Sequence, residues 1–228
     1  NRGENYIGDV VDSDLKNLVD AGMLSATSDF SFIKDVDFIA ICVPTPLDVH
    51  QQPDISYVES STRDVAKHLS PNTMVVLEST TYPGTTEELV KPILEEGSGL
   101  KCGEDFYLGF SPERVDPGNL IYKTKNTPKV VGAMGKDATE VIAAMYRSVL
   151  DGDVFEASSP AIAEMEKILE NTYRNAQPVM VSSRFRRSRY RSTVARLRSL
   201  WVAISSACSL VPSGSCPLSE RTSRSVSS

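Results

Sequence analysis

Three short segments hold side chains whose types and spacing suit chemistry. Ser79, Thr80 and Thr81 stand between the apolar run VVL (75–77) and a Pro83-Gly84 turn signal. Hydroxyls there can bond a cofactor's ribose or phosphates, or hold a reacting water. By spacing alone they equally suit the start of a helix near Thr85. Phe110-Ser111-Pro112-Glu113-Arg114 follows another apolar run and offers Glu113 as a general base. The same carboxylate can instead be half of a solvated ion pair with Arg114 or a neighbour. Lys167 and Asn171 are four residues apart in a helical pattern, so they share one face. An ammonium beside an amide can stabilise a developing oxyanion; it can also be an exposed surface pair.

Other reactive types are unpromising. Cys42, Cys102, Cys208 and Cys216 show neither CxxC nor zinc spacing, and His50 and His68 have no ligand partner nearby in the chain. No metal site is expected. Cys42 lies in an apolar run and reads as a small core residue.

These segments need elements to hold them. Helices are predicted over 12–22, 57–69, 85–96, 137–150 and from Ser159 to about Asn175, where Ser159 is the N-cap and Pro160 the first helical residue. Pro92 is expected to kink or shorten the third. Short apolar runs at 37–43, 73–77, 106–110 and 129–131 read as strands, the first two buried on both faces. Alternation of strand and helix predicts an α/β fold with a doubly wound parallel sheet. Ligands bind such sheets beyond the carboxyl ends of the strands. The VPTP run (43–46) and ESTTYPGTT (78–86) fall at two such ends.

The chain of 228 residues is 40% hydrophobic, enough for a packed core, and carries a net charge of −6. No apolar run is long enough to span a bilayer, and the first residues lack the pattern of a secretory signal. A cytoplasmic protein with reduced thiols is the expectation. Charge is split unevenly. Residues 1–175 hold 15 Lys+Arg against 29 Asp+Glu, whereas 176–228 hold nine Arg, no Lys and one Glu, with 15 Ser. That tail shows no stripe of either period. It reads as the product of a shifted frame or as a disordered segment, and a nucleic-acid-binding arm on a degenerate Rossmann module is the alternative.

The segments together resemble the UDP-glucose/GDP-mannose dehydrogenase family. The strings that carry the resemblance are DFIAICVPTPLD (37–48), PDISYVESS (53–61), VVLESTTYPGTTEE (75–88), FSPERVDPGN (110–119), NTPKVVGA (126–133) and SSPAIAEMEKILENTYRN (158–175). They look most like the branch that acts on UDP-N-acetylglucosamine or UDP-N-acetylmannosamine. The resemblance implies a Rossmann-like NAD domain over 1–157 and the start of a helical dimerisation domain over 158–175, with 176–228 unmatched. It implies NAD-dependent oxidation of a UDP-sugar's C6 alcohol to a carboxylate, for polysaccharide synthesis, by a homodimer. The aldehyde is held on a cysteine and released by water. Carried over by motif, Thr45, Ser79, Thr80 and Glu113 lie at the cofactor, Thr80 holds the catalytic water, Glu113 assists hydrolysis, and Lys167 and Asn171 stabilise the oxyanion. The resembling segments start after the family's GxGxxG turn, and no cysteine here sits in its GGHC-type motif. The chain alone is therefore expected to be inactive and poorly folded, with an exposed sheet edge at its first strand.

Overall fold

The computed structural model describes residues 3, 10–47, 53–115 and 123–182, with side chains through residue 173. The expectations for the Arg/Ser-rich tail, including Cys208 and Cys216, lie outside the described residues apart from the first few backbone positions.

Helix α1 (Asp12–Asp20) precedes a short 3-10 turn (Phe30–Asp35) and strand β1 (Phe38–Ile41). There follow α2 (Ser56–Ala66), β2 (Met74–Leu77), α3 (Lys91–Ser98), β3 (Tyr107–Phe110), β4 (Lys129–Ala133), α4 (Lys136–Val149), β5 (Val154–Ala157) and α5 (Pro160–Ser182). The strands form one sheet in the order β1-β2-β3-β4-β5. β1, β2 and β3 are parallel, as are β4 and β5, but β4 runs antiparallel to β3. The expected all-parallel sheet is corrected at that one pairing. A parallel return needs a crossover, usually a helix, and the described part of the β3–β4 connection contains none.

Helices cover both faces, as a doubly wound sheet requires. On one, Val58 and Val65 of α2, Leu94 of α3 and Ala163 of α5 pack with Val75, Leu77, Leu108 and Phe110. On the other, Ala138, Ile142, Ala143 and Tyr146 of α4 pack with Val76, Val131 and Ala133. Each buried Val, Leu, Ile or Phe side chain among them contributes roughly 1.5–3 kcal/mol. β1 departs from expectation, because Phe38 and Ile39 are half-buried and Ala40 is exposed. It is the edge of the described sheet, so it has a neighbour on one side only.

Two helices differ from their predicted form. Chain 85–96 begins as a π-helical turn, Thr86–Val90, before α3. Pro92 sits where the winding changes, in the first turn of α3, and a missing N–H costs little there. α5 continues to Ser182, past the predicted end near Asn175: Ala176 and Gln177 favour helix, and the helix runs on through Pro178. Ser159 caps α5 as expected, its hydroxyl accepting from the Ile162 N–H at 3.4 Å. Among the described residues no helix is long and apolar enough to cross a membrane.

Candidate active site

The loops that leave the carboxyl ends of β1, β2 and β3 are stitched to one another. The Glu78 and Ser79 N–H groups donate to the Ile41 carbonyl at 3.0 and 3.3 Å, and the Ser111 N–H donates to the Leu77 carbonyl at 3.0 Å. Ser79 is buried, and its hydroxyl accepts from the Val43 N–H and donates to the Val43 carbonyl, both at 2.8 Å. It therefore holds the VPTP loop, on which Thr45 lies half-buried. Thr80 is half-buried, and its hydroxyl makes no hydrogen bond among the described residues. Thr81 is 2% exposed, with its hydroxyl unpartnered among them.

In the next loop, Glu113 and Arg114 do not form the ion pair that was the alternative reading of Glu113. The Glu113 carboxylate accepts from the backbone N–H groups of Arg114 at 2.8 Å and Val115 at 2.6 Å. The Arg114 guanidinium pairs instead with Glu166 at 3.4 Å and Glu170 at 3.2 Å, both on α5. Two carboxylates on the helix outbid one neighbour in the loop, and they keep the guanidinium charged despite its burial. Glu113 itself is exposed.

From α5, Lys167 donates its ammonium proton to the backbone carbonyl oxygen of Glu113. Asn171 lies one turn along, half-buried, and makes no hydrogen bond among the described residues. Lys167 and Glu113 are thus brought together, and Ser79 is tied to the Thr45 loop. No hydrogen bond or ion pair joins Thr80 or Asn171 to the others.

Two features escaped the sequence reading. The first is a network behind Glu113. Glu78 accepts the Tyr146 phenol proton, pairs with Lys129 at 3.1 Å and faces the Cys42 thiol at 3.5 Å. The Lys129 ammonium also lies 4.8 Å from the Tyr146 ring centre. Burial, reinforced by the Glu78 charge, holds the Tyr146 phenol above its ordinary range and pushes the Cys42 thiol up to about 11. Glu78, Lys129, Tyr146, Glu113 and Arg114 line a pocket of about 140 Å³. The signal for Glu78 was present: a carboxylate directly after a fully apolar strand. The second is Glu164 on α5, fully buried, with its carboxylate bonded to the turn at 84–86.

The arrangement suits a dinucleotide at the carboxyl edge. Exposed or half-buried Thr45, Thr80 and Glu113 stand on three adjacent strand-end loops, and the Thr80 hydroxyl is uncommitted within the described chain. No group of three or more His, Cys, Asp or Glu side chains among the described residues could hold a metal.

Residues 2–150 match the model of the UDP-glucose/GDP-mannose dehydrogenase family, NAD binding domain. The chain is 40% identical over 174 residues to Protein CapL of Staphylococcus aureus, covering 76% of this chain and 40% of that protein. It is 34% identical over 176 residues to UDP-N-acetyl-D-glucosamine 6-dehydrogenase of Pseudomonas aeruginosa, covering 77% and 42%. The crystal structure of NDP-N-acetyl-D-galactosaminuronic acid dehydrogenase from Methanosarcina mazei superposes with a TM-score of 0.71 at 38% identity, covering 77% of this chain and 38% of that one. The chain spans about two fifths of the length of these relatives.

Proposed function

The chain belongs to the UDP-glucose/GDP-mannose dehydrogenase family, and from that premise we propose that its complete enzyme oxidises the C6 alcohol of a UDP-N-acetylhexosamine to the carboxylate. The product is a uronic acid for polysaccharide synthesis. Bound NAD supplies the electron acceptor. Thr45 and Ser79 line the cofactor, Ser79 by holding the loop that carries Thr45. Thr80 orients the attacking water, and Glu113 takes its proton. Lys167 and Asn171 offer an ammonium and an amide to the oxygen as it becomes negative.

One observation supports this reading: the Lys167 ammonium donates to the Glu113 backbone carbonyl, so Lys167 and the carboxylate loop stand together beyond the end of β3. Catalytic groups must be held in such proximity before chemistry.

This chain by itself makes no uronic acid in the proposal. The family's nucleophile is a thiolate, and among the described residues the two thiols, Cys42 and Cys102, are pushed up to about 11, away from ionisation at neutral pH. The complete enzyme is a cytoplasmic homodimer joined through α5, whose exposed Ile162, Met165 and Leu169 fall on one stripe. We divide the chain at 157/158 and read 176–228 as unmatched by the family, although α5 itself carries on to Ser182.

The test begins with the coding DNA on both sides of these codons, translated in three frames. A GxGxxG segment upstream and a glycine-rich cysteine motif downstream are expected. The frame-repaired protein should release two NADH per UDP-N-acetylhexosamine, read at 340 nm, with the uronate seen by mass spectrometry. A repaired protein that reduces no NAD with any UDP-sugar overturns the reading.

A further inference from the structure

The Glu164 carboxylate is completely buried. A charge in that setting costs several kcal/mol unless it is paired or fully hydrogen-bonded. Three donors serve it: the Gly84 N–H at 2.5 Å, the Thr86 N–H at 2.9 Å and the Thr86 hydroxyl at 2.7 Å. All three sit on the turn that opens the π-helical segment, 78–80 residues earlier in the chain. A residue local to that turn is the usual cap. Thr85 stands there, but its hydroxyl donates instead to the Tyr82 carbonyl at 2.6 Å. Capping therefore comes from α5, and the cap doubles as a tie between two elements.

What α5 carries gives the tie a purpose. Glu164, Lys167 and Asn171 are spaced three and four apart, so they follow one face of the helix. The loop that Glu164 grips is the one that carries Ser79 and Thr80. A neighbouring close approach supports the grip. Gly132 of β4 lets the helix start settle on the sheet, because a Cβ there would stand 2.2 Å from the Ser159 carbonyl oxygen. Gly84 takes a φ of +99°, which favours glycine, and so turns its N–H toward the carboxylate.

We infer that Glu164 is a positioning residue: its carboxylate latches α5 to the 84–86 turn and so sets where Lys167 and Asn171 stand relative to Thr80 and Glu113. The inference rests on the reading of those four as reacting-site groups. A latch three residues from Lys167 controls it closely, since the helix rises only about 1.5 Å per residue. Displacements of about 1 Å at such groups cost on the order of a hundredfold in rate.

The test uses the whole chain, with hydrogen exchange by mass spectrometry and the rate at which a small acylating reagent modifies each lysine. Glu164→Gln keeps the shape but loses the charge; Thr86→Val removes one donor and leaves both backbone bonds. Glu164→Gln should speed exchange across 79–90 and acylation of Lys167 about tenfold. Thr86→Val should give the same pattern at smaller size. Exchange in α4 and acylation of buried Lys129 should stay unchanged in both. Faster exchange at 79–90 with Lys167 at its original rate overturns the inference, since Glu164 is then a local cap. So does no change anywhere, and so does a parallel rise at Lys129 and α4 in both variants. None of these readouts needs turnover, so an enzyme without dehydrogenase activity and a failed latch are separate results.

Discussion

Lys167 binds the backbone carbonyl of Glu113, while the carboxylate of the same residue bonds the N–H groups of Arg114 and Val115. The cation thus holds the loop without occupying its acid group. Lys167→Met should lower stability by about 1 kcal/mol, the bond being only partly shielded. In the complete enzyme it should cut kcat by roughly 10²–10³ with KM nearly unchanged, because the proposed function makes Lys167 an oxyanion donor. Urea unfolding and steady-state rates check the two halves separately.

Ser79→Ala should destabilise the chain by about 1–3 kcal/mol with no nucleotide present, because both hydrogen bonds at Val43 go. For a chain of this size that is a melting point lower by roughly 2–4 °C per kcal/mol. An unchanged melting point would mean that the hydroxyl serves only a ligand.

Gly132→Ala is expected to be severe, with a loss of about 3 kcal/mol or more, because the new methyl meets backbone atoms of Ser159 at 2.2 and 2.7 Å. Gly109→Ala should cost less, since its nearest neighbour is the mobile end of Ile142 at 2.9 Å. Denaturant titration of the two variants side by side gives the ranking.

Tyr146→Phe tests the network behind Glu113. The phenol is held above its ordinary value near 10, first by burial and then by the Glu78 charge. Its protonated form is thus favoured by the folded state. That stabilisation is complete below pH 10 and declines as the pH climbs above 10, where the unfolded chain ionises and the folded chain does not. Wild type should exceed the Phe variant by about 1–2 kcal/mol at pH 8. The gap should narrow steadily above pH 10. A gap that stays constant to pH 11 would show that Tyr146 has an ordinary acidity.

Cys42 is exposed at the end of β1 and not the core residue its apolar run suggested; partial desolvation of the thiol first, and the Glu78 carboxylate second, push it up to about 11 from an ordinary 9.0. At pH 8 iodoacetamide should label it more slowly than an ordinary thiol, following the thiolate fraction. Glu78→Gln should recover part of that rate, by peptide mass spectrometry.

Much of the scaffold was legible because buried strands such as VVL at 75–77 leave uninterrupted apolar runs. β5 was not, since Phe155 and Glu156 are both exposed and four residues make a weak pattern. Nor was the reversal of β4, because periodicity reports which face a residue takes and says nothing of direction. The site divides the same way. Glu113, Lys167 and Asn171 announced themselves through local motifs, though the spacing left their roles open. Glu164 and Tyr146 act on partners 80 and 68 residues away, and no local pattern marks them.

The reversed strand also shapes the ground on which a ligand must lie. Gly132 pairs with Phe110, the last residue of β3, so Lys129 to Val131 run on past the point where β3 ends. At about 3.3 Å per residue that overhang is roughly 10 Å. β5 shares it, with Val154 beside Lys129. The carboxyl edge of the sheet is thus uneven: β4 and β5 project past the ends of β1 to β3, and the buried Lys129 at the start of β4 reaches back to Glu78, just after β2, at 3.1 Å.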